Sequence, residues 1–396
     1  MNTTKLKLIT AGIKDAALIH KLQIEAFTPL YEKYHDDDLS PAKEPIEKII
    51  DRLNQDFSEY KIIIYDGEAV GAVRIVRTKL NPDYDKSIFN DCIAAQNDRQ
   101  SCHDCNNDAA CGCNSNAANE CNDDAACSCN SNAACGLTFN AYVACGIAAR
   151  KYISDPNGII RRISPICILP KCQNKGIASA ALRLIFSEYP DTVLWSLDTI
   201  LEEAGNCHFY EKLGFVRTSF KLKVNDAMTL VGYEKSCITA RRFKDEDADE
   251  VVSLITRNFK EINSKDYAPE IIDELIKTHD KSWITKLAAS SHTYVFCHND
   301  KIVATGSIAS YWGSPTESIL LTVFVLPEYH GLGVGRKLID TLEQDELFKR
   351  ASRIEIPASI TAVNFYRRFG YDFKNGKNEL DSEHLYRLEK FNKACL

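Results

Sequence analysis

The succession of apolar and polar positions is the same in two stretches of this chain, 166–178 and 323–338. In each stretch an apolar run ends at a proline, and a short turn containing glycine follows. A brief apolar run bounded by proline and glycine is typical of a buried strand that ends in a turn. We therefore predict a strand, a loop and the start of a helix at both places.

Upstream of each stretch, hydrophobic periodicity predicts one order of elements. In the first half it predicts a strand over 6–11, a helix from 14, a loop over 29–41, a helix over 45–53, and a hairpin of strands 60–65 and 69–76. In the second half it predicts a strand over 238–241, helices over 247–259 and 269–287, and a hairpin of strands 294–297 and 302–308. Each half therefore has the order β-α-α-β-β before its apolar run.

A second motif follows each stretch at a matched distance. An asparagine, Asn206 or Asn364, precedes a Phe-Tyr pair, and a glycine and an aromatic residue close the motif. Tyr210 follows Gly176 by 34 positions, and Tyr366 follows Gly333 by 33. Two motifs repeated at nearly equal spacing indicate a tandem duplication of a whole domain.

The glycine-containing turns carry a family resemblance. Gln173, Gly176 and Ala178 match the pattern Gln/Arg-x-x-Gly-x-Gly/Ala, which resembles the acetyl-CoA pyrophosphate loop of the GNAT superfamily of N-acetyltransferases. The second turn has His330, Gly333 and Gly335 at these positions, so it departs from the pattern at the histidine. The resemblance implies an α/β (α+β) fold of two tandem domains, each a mixed, mostly antiparallel sheet flanked by helices. A Walker loop is excluded because no Gly-Lys-Ser/Thr is present.

The predicted domains span 1–235 and 236–396, and the first contains an insertion at about 80–156. Ala16 precedes Gly176 by 160 positions, whereas Ala248 precedes Gly333 by only 85. The insertion is rich in Cys, Asn and Ala and contains a 16-residue repeat. Its thiols could bind a soft metal ion, form disulfides, or have no partner. The candidate metal ligands are Cys102, Cys105, Cys111, Cys113, Cys121, Cys127, Cys129 and Cys135.

Composition restricts the partners and the compartment. The chain of 396 residues is 45% hydrophobic and carries a formal charge of −7, which argues against a nucleic-acid partner. No run approaches the roughly 20 apolar residues that a membrane span needs, and the start of the chain has no signal-peptide pattern. We predict a cytoplasmic protein with a small-molecule or peptide amine as acceptor and no membrane partner. The oligomeric state is left open.

The resemblance assigns acetyl-CoA as a substrate and implies a set of residues that bind it. Backbone N–H groups of a glycine-containing loop and of a helix start can converge on a diphosphate. The preceding strands, within 164–169 and 322–326, would lie along the pantetheine arm, and a strand N–H could polarise the thioester carbonyl. The candidates in the first half are Ile166, Ile168, Gln173, Lys175, Gly176, Ile177, Ala178 and Asn206. Those in the second half are Phe324, Val325, His330, Gly331, Gly333, Val334, Gly335, Arg336 and Asn364.

Acetyl transfer to an amine also needs an acid for the leaving thiolate and a base or water chain for the amine proton. The resemblance places the acid at Tyr210 and Tyr366. Asp198, at the end of the strand after the first loop, is the candidate base, and three other carboxylates remain alternatives: Glu25, Glu317 and Glu355. The first half matches the family pattern better, so we expect catalysis there.

Two other functions remain open at this point. The chain could bind CoA or an acyl-CoA without turnover, as a sensor or scaffold, or it could handle metals or thiols through its insertion. The acceptor is not identified by the sequence. The loop over 31–38 is polar and acidic, which is consistent with a polycationic amine and equally with a solvated surface.

Overall fold

The computed structural model describes residues 5–37, 39–81 and 152–392. All eight predicted metal-ligating cysteines lie outside these ranges. The described residues form two sheets of eight and seven strands, with helices packed on them. No helix in these ranges is long and apolar enough to cross a membrane.

The described residues of the first half form eight strands and four α-helices. Its strands are β1 (Leu6–Thr10), β2 (Ser58–Tyr65), β3 (Glu68–Leu80), β4 (Tyr152–Ser154), β5 (Ile160–Ile168), β6 (Leu194–Ile200), β7 (Val216–Lys223) and β8 (Thr229–Ser236). Its helices are α1 (Ala16–Tyr34), α2 (Ile46–Leu53), α3 (Ile177–Glu188) and α4 (Ala204–Lys212). The strand order is β1-β2-β3-β5-β6-β8-β7, and β4 pairs with the end of β3.

In the second half, up to residue 392, the structure has seven strands and six α-helices. Its strands are β9 (Ile238–Arg242), β10 (His292–His298), β11 (Lys301–Ser310), β12 (Glu317–Val325), β13 (Arg353–Ala358), β14 (Asp372–Phe373) and β15 (Tyr386–Phe391). Its helices are α5 (Ala248–Glu261), α6 (Pro269–Thr278), α7 (Lys281–Ser290), α8 (Val334–Glu343), α9 (Glu346–Lys349) and α10 (Val363–Arg367).

The second sheet repeats the order of the first. Its strands follow one another as β9-β10-β11-β12-β13-β15-β14. All neighbouring strands run antiparallel except β5 with β6 and β12 with β13, which are parallel. The predicted fold class is therefore confirmed: each half is a mixed, mostly antiparallel sheet flanked by helices.

Two elements differ from the sequence-based prediction. The predicted loop over 29–41 starts too early, because α1 continues through Pro29 to Tyr34. The last turn of α1 is held by tertiary contacts: Tyr34 is buried, and its hydroxyl donates to Glu203 over 2.7 Å. The predicted helix over 269–287 is two helices, because Asp280 accepts the N–H of Trp283 at 2.8 Å and caps α7.

Apolar side chains fill both faces of the first sheet and continue into the second half. One cluster packs β2, β3 and β5 against α1 and α2, and another packs the opposite face against α3 and α4. The core of the second half includes Ile160 and Val193 of the first half. His298 fastens the two halves, because its Nε2–H donates to the Thr192 carbonyl over 3.1 Å and its Nδ1 accepts from Tyr329 over 3.2 Å.

Candidate active site

The first loop, residues 173–178, joins the end of β5 to the start of α3. Two of its residues have left-handed backbone conformations, Asn174 with φ of 59° and Gly176 with φ of 77°. Gly176 is the residue from which α3 begins, so the loop turns sharply into the first helical turn. Glycine takes this conformation without steric cost, whereas a side chain with a branched Cβ does not.

The second loop, residues 330–336, has the same backbone form. Gly331 (φ 74°) and Gly333 (φ 79°) take the left-handed positions, and α8 begins from Gly333. Gly335 follows in the first turn, where a Cβ would lie 3.0 Å from the ring of Phe365. The two loops are therefore structural equivalents, each at a helix start, as the sequence predicts.

The backbone amides of both loops remain available for a ligand. Among the described residues, no hydrogen bond involves the N–H groups of 174–178 in the first loop, or of 331 and 333–336 in the second. The first N–H groups of a helix have no partner within the helix, and they attract anions. Exposed Lys175 adds a positive charge beside the first loop, and exposed Arg336 adds one beside the second, above the ring of Phe369.

Each loop is tied back to its own strand by one side chain. The Gln173 Nε2 group donates to the carbonyl of Ile168 over 2.9 Å, and His330 Nε2 lies 2.9 Å from the carbonyl of Val325. A carbonyl oxygen only accepts, so Nε2 of His330 carries the hydrogen. The histidine that departs from the family pattern therefore makes the same contact as the glutamine.

Both sheets open at the strand that leads into the loop. β5 pairs with β6 at only three positions, from Ile160 to Arg162, although β5 continues to Ile168. β12 pairs with β13 only from Glu317 to Ile319. One edge of 163–168 pairs with β3, while the other edge faces the gap between β5 and β6. Unpaired strand groups at such a gap can bind an extended ligand.

Irregular pairing accompanies each opening. The register between β3 and β5 shifts between Val73 and Ile75, and that between β11 and β12 shifts between Thr305 and Ser307. In β12 the irregular residue is Thr322, a β-branched residue with φ of 50°. A strained residue of this kind is held in place by its surroundings and is commonest at functional sites.

The predicted pantetheine contacts line this opening. Ile166, Phe324 and Val325 are half-buried, and Ile168 is buried. The ring of Phe324 is engaged edge-on with Phe259 of α5, at 5.4 Å between centroids. The side chains of these residues thus pack into the core, and their backbone edge faces the gap.

The two motif tyrosines are packed rings whose hydroxyl groups have no partner. Tyr210 packs against Phe209 and Phe215, and Tyr366 packs against Phe365 and Tyr371. Neither hydroxyl makes a hydrogen bond within the described ranges. Each hydroxyl oxygen still has some surface that is accessible to solvent. Burial raises the pKa of both tyrosines, so each hydroxyl stays protonated at neutral pH and can serve as a proton donor.

The remaining predicted residues, two asparagines and Asp198, differ in their exposure and in their partners. Asn206 and Asn364 are exposed at the starts of α4 and α10. Asp198 lies where β6 diverges from β5, but both of its oxygens are paired with the guanidinium of Arg162. The carboxylate therefore has a partner within the protein.

The alternative carboxylates of the second half are also paired. Arg353 bridges Glu317 and Glu355, and Lys374 donates to Glu355 over 2.7 Å. Glu355 is buried within this network. Glu25 on α1 is exposed. Glu317 and Glu355 are therefore paired with cations, whereas Glu25 has no hydrogen-bond or ion-pair partner in the described part of the chain, and the role of all three stays a prediction.

Two further residues of the first half, Tyr60 and Arg74, were not predicted as site residues from the sequence. They lie directly opposite each other on β2 and β3, beside the irregular pairing with β5. The available signal was a charged residue inside the apolar strand 69–76. Arg74 is half-buried, and Tyr60 is fully buried with a hydroxyl that has no hydrogen-bond partner among the described residues.

At the positions of the second half that correspond to Tyr60 and Arg74, the side chains carry neutral hydroxyl groups. Thr293 and Ser307 lie opposite each other on β10 and β11, and Ser307 also contacts Thr322. The oxygen–oxygen distances are 2.9 Å and 2.6 Å. At the second loop, Leu80 of the first half comes so close that a Cβ on Gly331 would lie 2.6 Å from it.

Within the described ranges, no group of His, Cys, Asp and Glu side chains could hold a metal ion. The predicted cysteine ligands lie in the part of the chain that is not described, so their role stays a prediction.

The sequence of the chain matches the model of the Acetyltransferase (GNAT) family over two segments, 128–215 and 250–371. An uncharacterized N-acetyltransferase, YafP of Escherichia coli strain K12, is 29% identical over 134 residues, which are 34% of this chain and 81% of that protein.

Similar solved structures cover one domain's length of the chain. The PaiA N-acetyltransferase of Thermoplasma acidophilum, in complex with coenzyme A, is 14% identical, with 39% of this chain and 99% of that one covered and a TM-score of 0.35. A GCN5-related N-acetyltransferase of Rhodopseudomonas palustris is 20% identical, with 39% and 95% covered and a TM-score of 0.33. The family of the chain follows from its match to the family model. Its two segments cover more than half of the chain, and each contains one loop and one Phe-Tyr motif, so the chain belongs to the GNAT family of acetyltransferases in a tandem form.

Proposed function

We propose that the chain transfers the acetyl group of acetyl-CoA directly to a primary amine, and that its first half carries the reaction. The observation behind the proposal is the arrangement at the first loop. Free amides at the start of α3, the open edge of β5 and the unpartnered hydroxyl of Tyr210 belong to one half of the molecule. Together they supply an anion site, an extended groove and a proton donor.

In this proposal each group has one task. The amides of 174–178 and the charge of Lys175 bind the diphosphate of acetyl-CoA. The pantetheine arm lies along 164–169, where a strand N–H polarises the thioester carbonyl as the amine nitrogen attacks its carbon. The carbon–sulfur bond breaks, and Tyr210 returns a proton to the thiolate. The amine proton leaves through Asp198 or a water chain, and an Asp198→Asn variant that kept full activity would assign this step to water.

We assign the second half a structural role. Its loop has the same backbone form, but Leu80 approaches that loop and neutral hydroxyl groups occupy the place of Arg74. Through the hydrogen bonds of His298 and the shared apolar core, the second half would stabilise the first half without catalysing a reaction itself.

A turnover assay on the full chain tests the proposal. Release of CoA thiol is followed with acetyl-CoA and a panel of amino acids, polyamines, aminoglycosides and simple amines. The matched variants are Gly176→Val and Gly333→Val, because both place a β-branched residue at a left-handed position and carry the same backbone strain. We expect the first to abolish turnover and CoA binding, and the second to keep turnover.

The opposite result for the two variants would move the reaction to the second half. Calorimetric binding of CoA with no acetylation of any amine would identify a sensor or scaffold instead of an enzyme.

A further inference from the structure

The first half contains a guanidinium group with no anionic partner, beside the opening of the sheet. Arg74 donates to Ser58 Oγ over 2.8 Å and to Gln55 Oε1 over 3.0 Å, and both acceptors are neutral. In the part of the chain that the structure describes, Arg74 forms no ion pair. A partly buried charge without an opposite charge is uncommon unless a ligand supplies one.

The nearest carboxylates are already engaged by other arginines. Glu44 accepts two hydrogen bonds from Arg52, at 2.7 Å and 2.6 Å, and Asp198 is paired with Arg162. Together with Arg74, these arginines outnumber the two carboxylates, and Lys48 also pairs with Glu44 at 3.6 Å, so the cluster has more positive than negative groups. Burial, and then the neighbouring Arg52, lower the pKa of Arg74 to about 10, so Arg74 remains charged at neutral pH.

Tyr60 supplies an independent observation. Its side chain is 1% exposed, and its hydroxyl lies beside the guanidinium groups of Arg52 and Arg74 but has no well-aligned acceptor for its own hydrogen among the described residues. Its cross-strand partner is Arg74, so both side chains point to the same face of the sheet. A buried hydroxyl without a partner costs free energy in the unliganded protein, and a bound oxygen acceptor would remove that cost.

The position of the two residues relates them to the acceptor and not to CoA. Tyr60 packs with Ile19 of α1 and Ile49 of α2, on the face opposite α3 and the Tyr210 ring. Arg74 lies where the register of β3 and β5 shifts, next to the strand that leads into the first loop. The unbalanced charge therefore lies across the sheet from the CoA loop helix and beside the point of transfer.

The second half provides an internal comparison. Ser307 on β11 occupies the place of Arg74, and Thr293 that of Tyr60, and both hydroxyls are hydrogen-bonded. In the half to which we assign no ligand, the two equivalent positions thus carry neutral side chains whose hydroxyl groups are hydrogen-bonded within the protein. The charged and unsatisfied pair in the first half is not a requirement of the fold.

We propose that the acceptor of the first half is an amine that also bears a carboxylate, and that Arg74 binds this carboxylate with the Tyr60 hydroxyl as a second donor. The inference depends on the acetyltransferase function proposed above. One guanidinium matches one carboxylate in charge and geometry.

This substrate class differs from the polycation that the acidic loop over 31–38 suggested. In the structure Asp37 of this segment accepts from Tyr31 over 2.9 Å, and Lys33 of the same segment pairs with Glu203 at 2.6 Å. Arg74, in contrast, forms no ion pair among the described residues.

Steady-state kinetics on the full chain test the proposal with matched acceptors. Each amino acid that is acetylated is compared with its α-amide and with its decarboxylated amine, and O-phosphoethanolamine represents a phosphate-bearing amine. We expect kcat/KM of the wild type to be about 10- to 100-fold higher for the carboxylate than for the amide, the range of one charged hydrogen bond. Arg74→Gln should remove this preference through KM and leave kcat/KM for the amide within about threefold.

Two further variants separate binding from folding. Arg77→Gln makes the same change three residues along β3, where Arg77 donates to the Pro156 carbonyl over 2.8 Å, and it should keep the preference. Tyr60→Phe removes an unsatisfied hydroxyl, so we expect an unchanged or higher melting temperature together with a higher KM for the carboxylate.

Equal use of amino acids and their decarboxylated amines, or equal loss on all acceptors in Arg74→Gln, would overturn the inference while acetyl transfer itself stood. A preference for O-phosphoethanolamine would replace the carboxylate by a phosphate and also overturn it. Acetylation of no amine at all would overturn the proposed function, which is a separate outcome.

Discussion

The Nε2 atom of His330 lies 2.9 Å from the carbonyl oxygen of Val325 and ties the second loop to the strand before it. Gln173 makes the same contact with Ile168, also over 2.9 Å. The two side chains differ in shape, but each carries one N–H at the distance that the loop requires. This position in the pattern therefore selects a donor to the strand carbonyl and not a particular residue.

The first prediction concerns this contact. Gln173→Ala removes the donor, and we expect KM for acetyl-CoA to rise about 3- to 10-fold with kcat unchanged, the value of one neutral hydrogen bond. Gln173→His should keep KM near that of the wild type, because histidine makes the equivalent bond in the second loop. Steady-state kinetics with varied acetyl-CoA measure both. A Gln173→His variant as impaired as Gln173→Ala would show that the loops are not equivalent.

The second prediction separates the two tyrosines. Tyr210→Phe removes the proposed proton donor to the thiolate, and we expect kcat to fall about 100-fold, in the range of general acid catalysis. Tyr366→Phe makes the same change in the structural half, so kcat should stay within about twofold of the wild type.

Calorimetry with CoA provides the control for the tyrosine variants, since neither tyrosine belongs to the loops whose amides we propose to bind the phosphates. An intact CoA affinity with reduced kcat supports the acid role. Equal kcat in wild type and Tyr210→Phe would contradict it and leave Tyr210 as a packed aromatic ring.

The third prediction uses the glycine at the start of α8. A Cβ on Gly335 would lie 3.0 Å and 3.1 Å from two ring atoms of Phe365, so Gly335→Ala should lower stability by about 1 kcal/mol. Gly205→Ala is the matched control, because Gly205 lies in α4 with no heavy atom within 4 Å of the added Cβ. Alanine favours a helix there, and stability should rise by about 0.5 to 1 kcal/mol. Melting temperatures of both variants measure the difference, and a stable Gly335→Ala would show that Phe365 moves aside.

The fourth prediction is a pH dependence of stability at Glu44. Burial disfavours its charged form, but hydrogen bonds from Arg52 and Gln23 outweigh burial and hold its pKa below the usual 4.5. A lowered pKa means that this stabilisation is fully present above pH 4.5 and is lost as the pH falls through the lower pKa of the folded protein. Glu44→Gln should therefore cost about 1 to 3 kcal/mol at pH 7 and progressively less below pH 4.5.

Glu47→Gln is the control for this measurement, because Glu47 is exposed in the first turn of α2, close to Glu44 in the chain, and its removal should change stability by no more than about 0.5 kcal/mol. Melting temperatures between pH 3 and 7 follow both variants. A deficit of Glu44→Gln that stayed constant with pH would show that the charge of Glu44 is not its source.

Local sequence signals were sufficient for most of the elements and for both loops. Proline, glycine and apolar runs act over a few residues, so the strand, loop and helix start at Gly176 and at Gly333 were predicted at the correct places. The continuation of α1 through Pro29 was not predicted, because it depends on the contact of Tyr34 with Glu203, which lies 169 positions away in the chain. The split of the helix after 278 was missed although Asp280 is a local cap, since the apolar periodicity continues across it.

The candidate site shows the same division. Residues that match the family pattern, such as Gln173 and Tyr210, could be predicted from their motifs and the spacing between them. The pairing of Asp198 with Arg162 and the unsatisfied hydroxyl of Tyr60 depend on which strands are neighbours, and this is not written in either segment.

The sequence by itself determined the duplication, the order of elements and the two glycine-containing loops, because each depends on residues close together in the chain. Only the tertiary structure decided which charges are balanced. Arg74 and Tyr60 lie 14 positions apart on paired strands, whereas Glu44, just before α2, and Asp198 on β6 are paired with other arginines. Charge balance depends on distances between distant segments, and folding alone sets those distances.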